Sequence, residues 1–131
     1  RLSLAAIDAL ARRYGPHSAL LGIEVLNEPA WAVEWDHGQL LEYYTRAADL
    51  VYAASPRAYV VFNVLYWGDF PSGFGDWWTG QLVSDRVLID LHLYDCFGDA
   101  ALRTIDEHRA QAREWSRAIR RFSERGHKVR V

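Results

Sequence analysis

Two short stretches carry side chains whose types and spacing suit acid–base work. The first is Asn27-Glu28-Pro29, at the end of the apolar run 20–26, LLGIEVL. The second is Asp90-Leu91-His92-Leu93-Tyr94, where polar groups alternate with leucines. A carboxyl gives or takes a proton, an imidazole does so near neutral pH, and a phenol donates to either. Side chains alternate across a strand, so Asp90, His92 and Tyr94 share one face. Three polar groups on one face of a buried strand either satisfy one another or line a site. On pattern alone both readings stand. His17, His37, His108 and His127 have no ligand-like spacing, and there is no His-Glu-x-x-His and no cysteine pair. The expectation is therefore no metal and no cofactor.

These groups need elements to hold them. The run 20–26 is rich in branched residues and bounded by Pro16 and Pro29, which predicts a buried strand. Pro29 disfavours a helical backbone at Glu28, so an extended backbone is expected there, with the carboxylate at the strand's carboxyl end. Glu24 would share the face of Glu28 in a regular strand; inside a barrel it would lie below the site, a paired interior charge that needs a cation or several donors, with its partner expected outside residues 1–131. Further strands are predicted over 59–64 (YVVFNV), with Asn63 at its end facing the site, over 87–94 (VLIDLHLY) and over 127–131 (HKVRV).

Helical spacing joins Leu4, Ile7, Leu10, Ala11 and Tyr14, and Gly15-Pro16 stops that helix. A second helix runs through Leu40, Tyr44, Ala47, Ala48 and Val51 and ends before Pro56. A third carries Ala101, Ile105, His108, Ala112, Trp115, Ile119 and Phe122, with Asp99 as its N-cap and Gly126 as its stop, and should pack on the sheet. Residues 30–37 form a loop with Trp31 and Trp35. Residues 66–80 form a long loop with Tyr66, Trp67, Phe70, Phe74, Trp77 and Trp78, of a length that is often functional. Alternating helices and near-continuous apolar strands argue for a parallel sheet covered by helices, either a barrel or a doubly wound fold.

Composition narrows the function classes. The net charge of −2 gives no reason to expect a nucleic acid partner. No apolar run reaches membrane-spanning length, and no signal peptide is visible. Cys96 is the only cysteine, so no disulfide forms within the chain. There is no Gly-x-Gly-x-x-Gly, phosphate-binding loop or tandem repeat. Aromatic residues are 14% of the chain and several sit near strand ends, which suits stacking on sugar rings and suits ordinary cores equally.

The segment GIEVLNEP (22–29) resembles the fourth-strand motif of glycoside hydrolase family 5, and within it the exo-β-1,3-glucanase group. The resemblance implies an α/β fold: about half of a (β/α)8 TIM barrel, from its third helix to the start of its seventh strand. A whole barrel takes roughly 250 residues, so residues 1–131 are expected to be a partial catalytic domain cut at both ends. It implies that Glu28 is the general acid/base and that Asn27 contacts the sugar in the cleavage subsite. His92 and Tyr94 match a sixth-strand pair in which the His contacts the sugar and the Tyr bonds near the nucleophile. Phe97 matches an aromatic that grips the sugar beyond the cleavage point, and Trp67 is a candidate sugar platform. Asn63 and Val64 depart from the group, which carries His and Asp there.

A retaining glycosidase needs two carboxylates about 5–5.5 Å apart, one as nucleophile and one as acid/base. The resemblance puts the nucleophile, a Glu, at the end of the seventh strand, past Val131. Glu107, Glu114 and Glu124 do not match it. The chain alone is therefore expected to be inactive, and to aggregate or stay partly molten. The implied partner is a β-glucan, with no nucleic acid and no membrane. The full-length protein is expected to be a monomer, extracellular or associated with the cell wall. The competing readings are an endo-β-1,4-glucanase or mannanase of the same family, a non-catalytic carbohydrate-binding barrel, and an unrelated doubly wound domain.

Overall fold

A computed structural model describes residues 2–29, 37–63, 85–124 and 129–130. Within them the elements are α1 (Leu2–Tyr14), β1 (Gly22–Glu24), α2 (His37–Ala54), β2 (Tyr59–Asn63), β3 (Val87–Asp90), a 3-10 helix (Gly98–Leu102), α3 (Ile105–Glu124) and β4 (Val129–Arg130). The expected features at Trp31, Trp35, Val64, Gly126, His127 and the aromatic loop from Tyr66 to Trp78 lie outside the described residues, and Trp67 with them.

The four strands form one parallel sheet in the order β1-β2-β3-β4. Register pairs Glu24 with Val61, Phe62 with Ile89 and Asn63 with Asp90. Val60, Phe62, Val87 and Ile89 are buried and join the core with Ile7 and Ala11 of α1 and Leu40, Tyr44, Ala47 and Val51 of α2. Burying each large apolar side chain contributes about 1.5–3 kcal/mol relative to leaving it exposed. Alternation then turns Glu24, Val61, Leu88 and Asp90 to the other face.

The local reasons are legible. The α2 stripe Leu40, Tyr44, Ala47, Ala48, Val51 has helical period and is buried throughout. Gly15 accepts the end of α1 because the Gly15 amide bonds the Ala11 carbonyl at 2.7 Å. A Cβ there would stand 2.4 Å from that oxygen and 2.7 Å from the Ala54 carbonyl, so glycine lets the ends of α1 and α2 touch. Tyr44 stacks on Phe62 with ring centroids 4.4 Å apart, and its hydroxyl donates to the Asn63 carbonyl at 2.7 Å. Burial pushes its pKa up. Tyr43 donates to the Val25 carbonyl at 2.7 Å. These two phenols tie α2 to the carboxyl ends of β1 and β2.

Three expectations change. β3 stops at Asp90, not Tyr94: the ladder with β2 ends at the Asn63–Asp90 pair, and the chain beyond leaves strand geometry. Asp99 does not cap α3, because it sits inside the 3-10 helix. The cap is a reciprocal box between residues three apart. Glu107 accepts from the Thr104 amide at 2.6 Å and from its hydroxyl at 2.8 Å, while the Glu107 amide reaches the Thr104 Oγ1 at 3.4 Å. Finally, the apolar stripe of α3 is mostly open: Ala118 is buried, yet Ile105 is 65% exposed.

Candidate active site

Glu28 follows β1 at the carboxyl edge of the sheet. Its backbone is not extended as expected: φ is +39°, a conformation rare outside glycine. Pro29 does remove the right-handed helical region, but the residue escapes to positive φ, at a cost of about 1–2 kcal/mol. What holds it there is the side chain. His92 Nδ1 stands 2.7 Å from Glu28 Oε1, and the Tyr94 hydroxyl donates to the same oxygen at 3.1 Å. Oε2 has no hydrogen bond to a described residue, and the side chain is 48% exposed.

The imidazole is held from both sides. Its Nε2 lies 2.9 Å from Asp90 Oδ2, so each ring nitrogen faces a carboxylate. Tyr94 meets the His92 ring edge-on at 6.0 Å, and Phe97 meets Tyr94 edge-on at 5.8 Å. Phe97 is 67% exposed, a large apolar ring presented to solvent beside the carboxylate. Asn27 is exposed next to Glu28.

Electrostatics follow from these contacts. The bonds from His92 and then Tyr94 hold the Glu28 carboxyl below its ordinary 4.5. The bond to Glu28 lifts His92 above its ordinary 6.5, against the pull of burial, and Asp90 adds to the rise. Glu28 also raises the Tyr94 phenol. Glu24 is pushed up by desolvation first and by the negative charge of Asp90 second.

Glu24 is another carboxylate on this face. Its side chain is exposed on the open face of β1, where that face has no layer over it among the described residues. Its charged neighbours are Asp90 and His92. Glu24, Asp90 and His92 bring one ligating atom each within 4.8 Å of one another, a span a divalent cation could bridge. Since the Nε2–Asp90 bond already satisfies two of the three, we read a hydrogen-bonded cluster and assign no metal to it. Asn63 ends β2 beside Asp90, on the same face. It is 2% exposed, and its amide donates to the Asp90 carbonyl at 3.4 Å, which steadies the strand end from within.

One element of the site was not signalled in the sequence. Asp95 receives Arg103 on one oxygen and His108 on the other, the latter at 2.7 Å. This clamps the segment carrying Tyr94 and Phe97 to the start of α3. The partners are 8 and 13 residues away with no motif joining them. Thr104-x-x-Glu107, by contrast, is a capping signature visible in the letters.

No family model matches the chain. Curated proteins do. The chain is 34% identical over 106 residues to "Probable glucan 1,3-beta-glucosidase A" of Aspergillus terreus, covering 79% of this chain and 24% of that protein. It is 30% identical over 117 residues to the protein of the same name in Aspergillus clavatus, covering 88% and 27%. It is 30% identical over 127 residues to "Glucan 1,3-beta-glucosidase" of Lachancea kluyveri, covering 90% and 27%. The chain thus spans about a quarter of the length of the curated relatives it matches. Among the described residues no helix is long and apolar enough to cross a membrane.

Proposed function

We propose that this chain is part of a retaining glycoside hydrolase of family 5 that acts on β-glucan as an exo-β-1,3-glucosidase, with Glu28 as general acid/base. The observation that carries the reading is the half-engaged carboxylate. Oε1 of Glu28 is fixed by His92 and Tyr94, while Oε2 has no hydrogen bond to a described residue and the side chain is 48% exposed. An acid/base needs that asymmetry: one oxygen oriented, the other available to the glycosidic oxygen. The similarity to proteins named glucan 1,3-beta-glucosidase supports the linkage. The parallel strands in sequential order, with no reversal among the four described, support a barrel segment over a doubly wound sheet.

In this reading Glu28 protonates the leaving oxygen as a second carboxylate attacks the anomeric carbon from about 5–5.5 Å away. Asp90 is engaged with His92, so the nucleophile is assigned to neither it nor Glu24, and we place it outside residues 1–131. Glu28 then deprotonates the water that releases the sugar. Asn27 bonds the sugar in the cleavage subsite, and Phe97 and Trp67 offer apolar faces to neighbouring rings. The donors around Glu28 favour its ionised form, opposite to what a proton donor needs. The nucleophile's negative charge supplies the counterweight, because a like charge nearby raises a carboxyl's pKa.

The test is a glycan panel on the complete protein, with the product's anomeric form followed by NMR. Glucose released from the non-reducing ends of β-1,3-glucan with retained configuration supports the reading. Inverted product, or cleavage of β-1,4-linked chains alone, overturns it.

A further inference from the structure

We propose that Asp90 is a positioning residue for Glu28: bonded to Nε2 of His92, it keeps that ring's proton on Nε2 and turns Nδ1 toward the acid/base. The inference rests on the reading of Glu28 as acid/base, and it starts from where regular structure ends. Asp90 is the last residue of β3, opposite Asn63, whose amide also holds the Asp90 carbonyl. His92 lies two residues beyond, outside the ladder. Backbone pairing therefore fixes Asp90, and Asp90 fixes His92.

The chemistry follows from the donor inventory. An ionised carboxylate only accepts, so the Nε2 atom 2.9 Å from Asp90 carries a hydrogen. The doubly protonated ring donates to both carboxylates; on losing one proton it keeps, in this proposal, the hydrogen that faces Asp90, which the β2–β3 ladder fixes, and leaves a lone pair on Nδ1, 2.7 Å from Glu28 Oε1. A second ring proton has only Nδ1 to occupy, where it donates to Glu28. The pair Nδ1···Oε1 thus shares one proton: the O–H of a protonated Glu28 breaks as N–H forms, with no net proton taken up. With the imidazolium donating to Oε1, the proton that Glu28 gives to a leaving group is a second one, carried on Oε2, and Asp90, by stabilising the imidazolium, stabilises the carboxylate that remains. The other groups facing the ring are Glu24 from β1, which adds negative charge, and Tyr94, whose hydroxyl lies 3.5 Å from Nδ1.

The experiment is 15N NMR of the complete protein labelled at histidine, with His92 assigned by the signal lost in His92→Gln. In the unsubstituted protein the neutral ring should be protonated at Nε2. In Asp90→Asn the amide can donate to Nε2, so the Nδ1–H form should appear and the His92 midpoint should fall by about one pH unit, the low end of a neighbouring charge's effect. A neutral ring protonated at Nδ1 in the unsubstituted protein overturns the proposal even where the variant does not fold. So does an Asp90→Asn ring with unchanged tautomer and midpoint. The ring signals do not depend on hydrolysis, so failure of the glycosidase reading and failure of this one are distinguishable.

Discussion

His92 and Glu28 meet at 2.7 Å although 64 residues separate them in the chain. Nothing local brings them together. Glu28 follows β1 and His92 follows β3, with β2 between the two strands. A parallel sheet places all carboxyl ends along one edge, so residues just past different strands converge there. The meeting is a product of topology, and the following expectations depend on it.

The pair should give stability a plateau in pH. Glu28 is held below its ordinary 4.5, so its contribution is present above that value and is lost as pH falls through the lower folded value. His92 is held above 6.5, so its contribution is complete below 6.5 and is lost as pH rises through the higher folded value. The difference in Tm between the unsubstituted protein and His92→Gln should therefore be greatest between pH 4.5 and 6.5 and shrink on both sides. A difference that is flat with pH would contradict the pairing.

Tyr44→Phe keeps the ring stacked on Phe62 and removes only the hydroxyl that bonds the Asn63 carbonyl. Leaving that buried acceptor unpaired should cost about 1–3 kcal/mol. Phe62→Ala, which opens a cavity in the same place, should cost about 3–5 kcal/mol. Urea unfolding midpoints check both, and the order of the two effects is the stricter test.

Thr104→Ala should destabilise α3 by about 1 kcal/mol, because it removes the hydroxyl side of the capping box. Asp99→Ala should change little, since Asp99 lies within the 3-10 helix, whose N-cap Phe97 makes no side-chain cap bond. Amide hydrogen exchange in the first turn of α3 separates the two variants.

Asp95→Ala frees the segment bearing Tyr94 and Phe97 from Arg103 and His108. Under the glycosidase reading this should raise KM for oligosaccharides more than it lowers kcat, because it disturbs the sugar contact of Phe97 while His92, tied to Asp90, still bonds Glu28. Steady-state kinetics on short β-1,3-linked chains reads the split.

The strands, the helices and their alternation were legible because apolar period and proline and glycine stops are local properties. The parallel sheet followed from the same pattern. The shared face of Asp90, His92 and Tyr94 was legible too, but their division of labour was not. Where β3 stops depends on how far β2 runs beside it, and no single segment encodes that. Glu28's positive φ depends on two donors 64 and 66 residues away, so a rule about the residue before proline could not reach it. Glu24 was expected inside a barrel, on the face of Glu28 and below the site, with a partner outside residues 1–131. It is exposed because burial of that face depends on layers that β1 itself does not specify.

The most direct test of Glu28's role compares two leaving groups in the complete protein. Glu28→Gln should slow cleavage of a β-1,3-linked glucan by roughly 10²–10⁴-fold, since a sugar leaving oxygen needs a proton. The first chemical step on a dinitrophenyl β-glucoside, whose phenolate leaves unaided, should be nearly unchanged, and added azide should speed turnover by replacing the water that Glu28 can no longer activate. Equal loss on both substrates, or no loss on the glucan, would contradict the assignment of Glu28 as the proton donor.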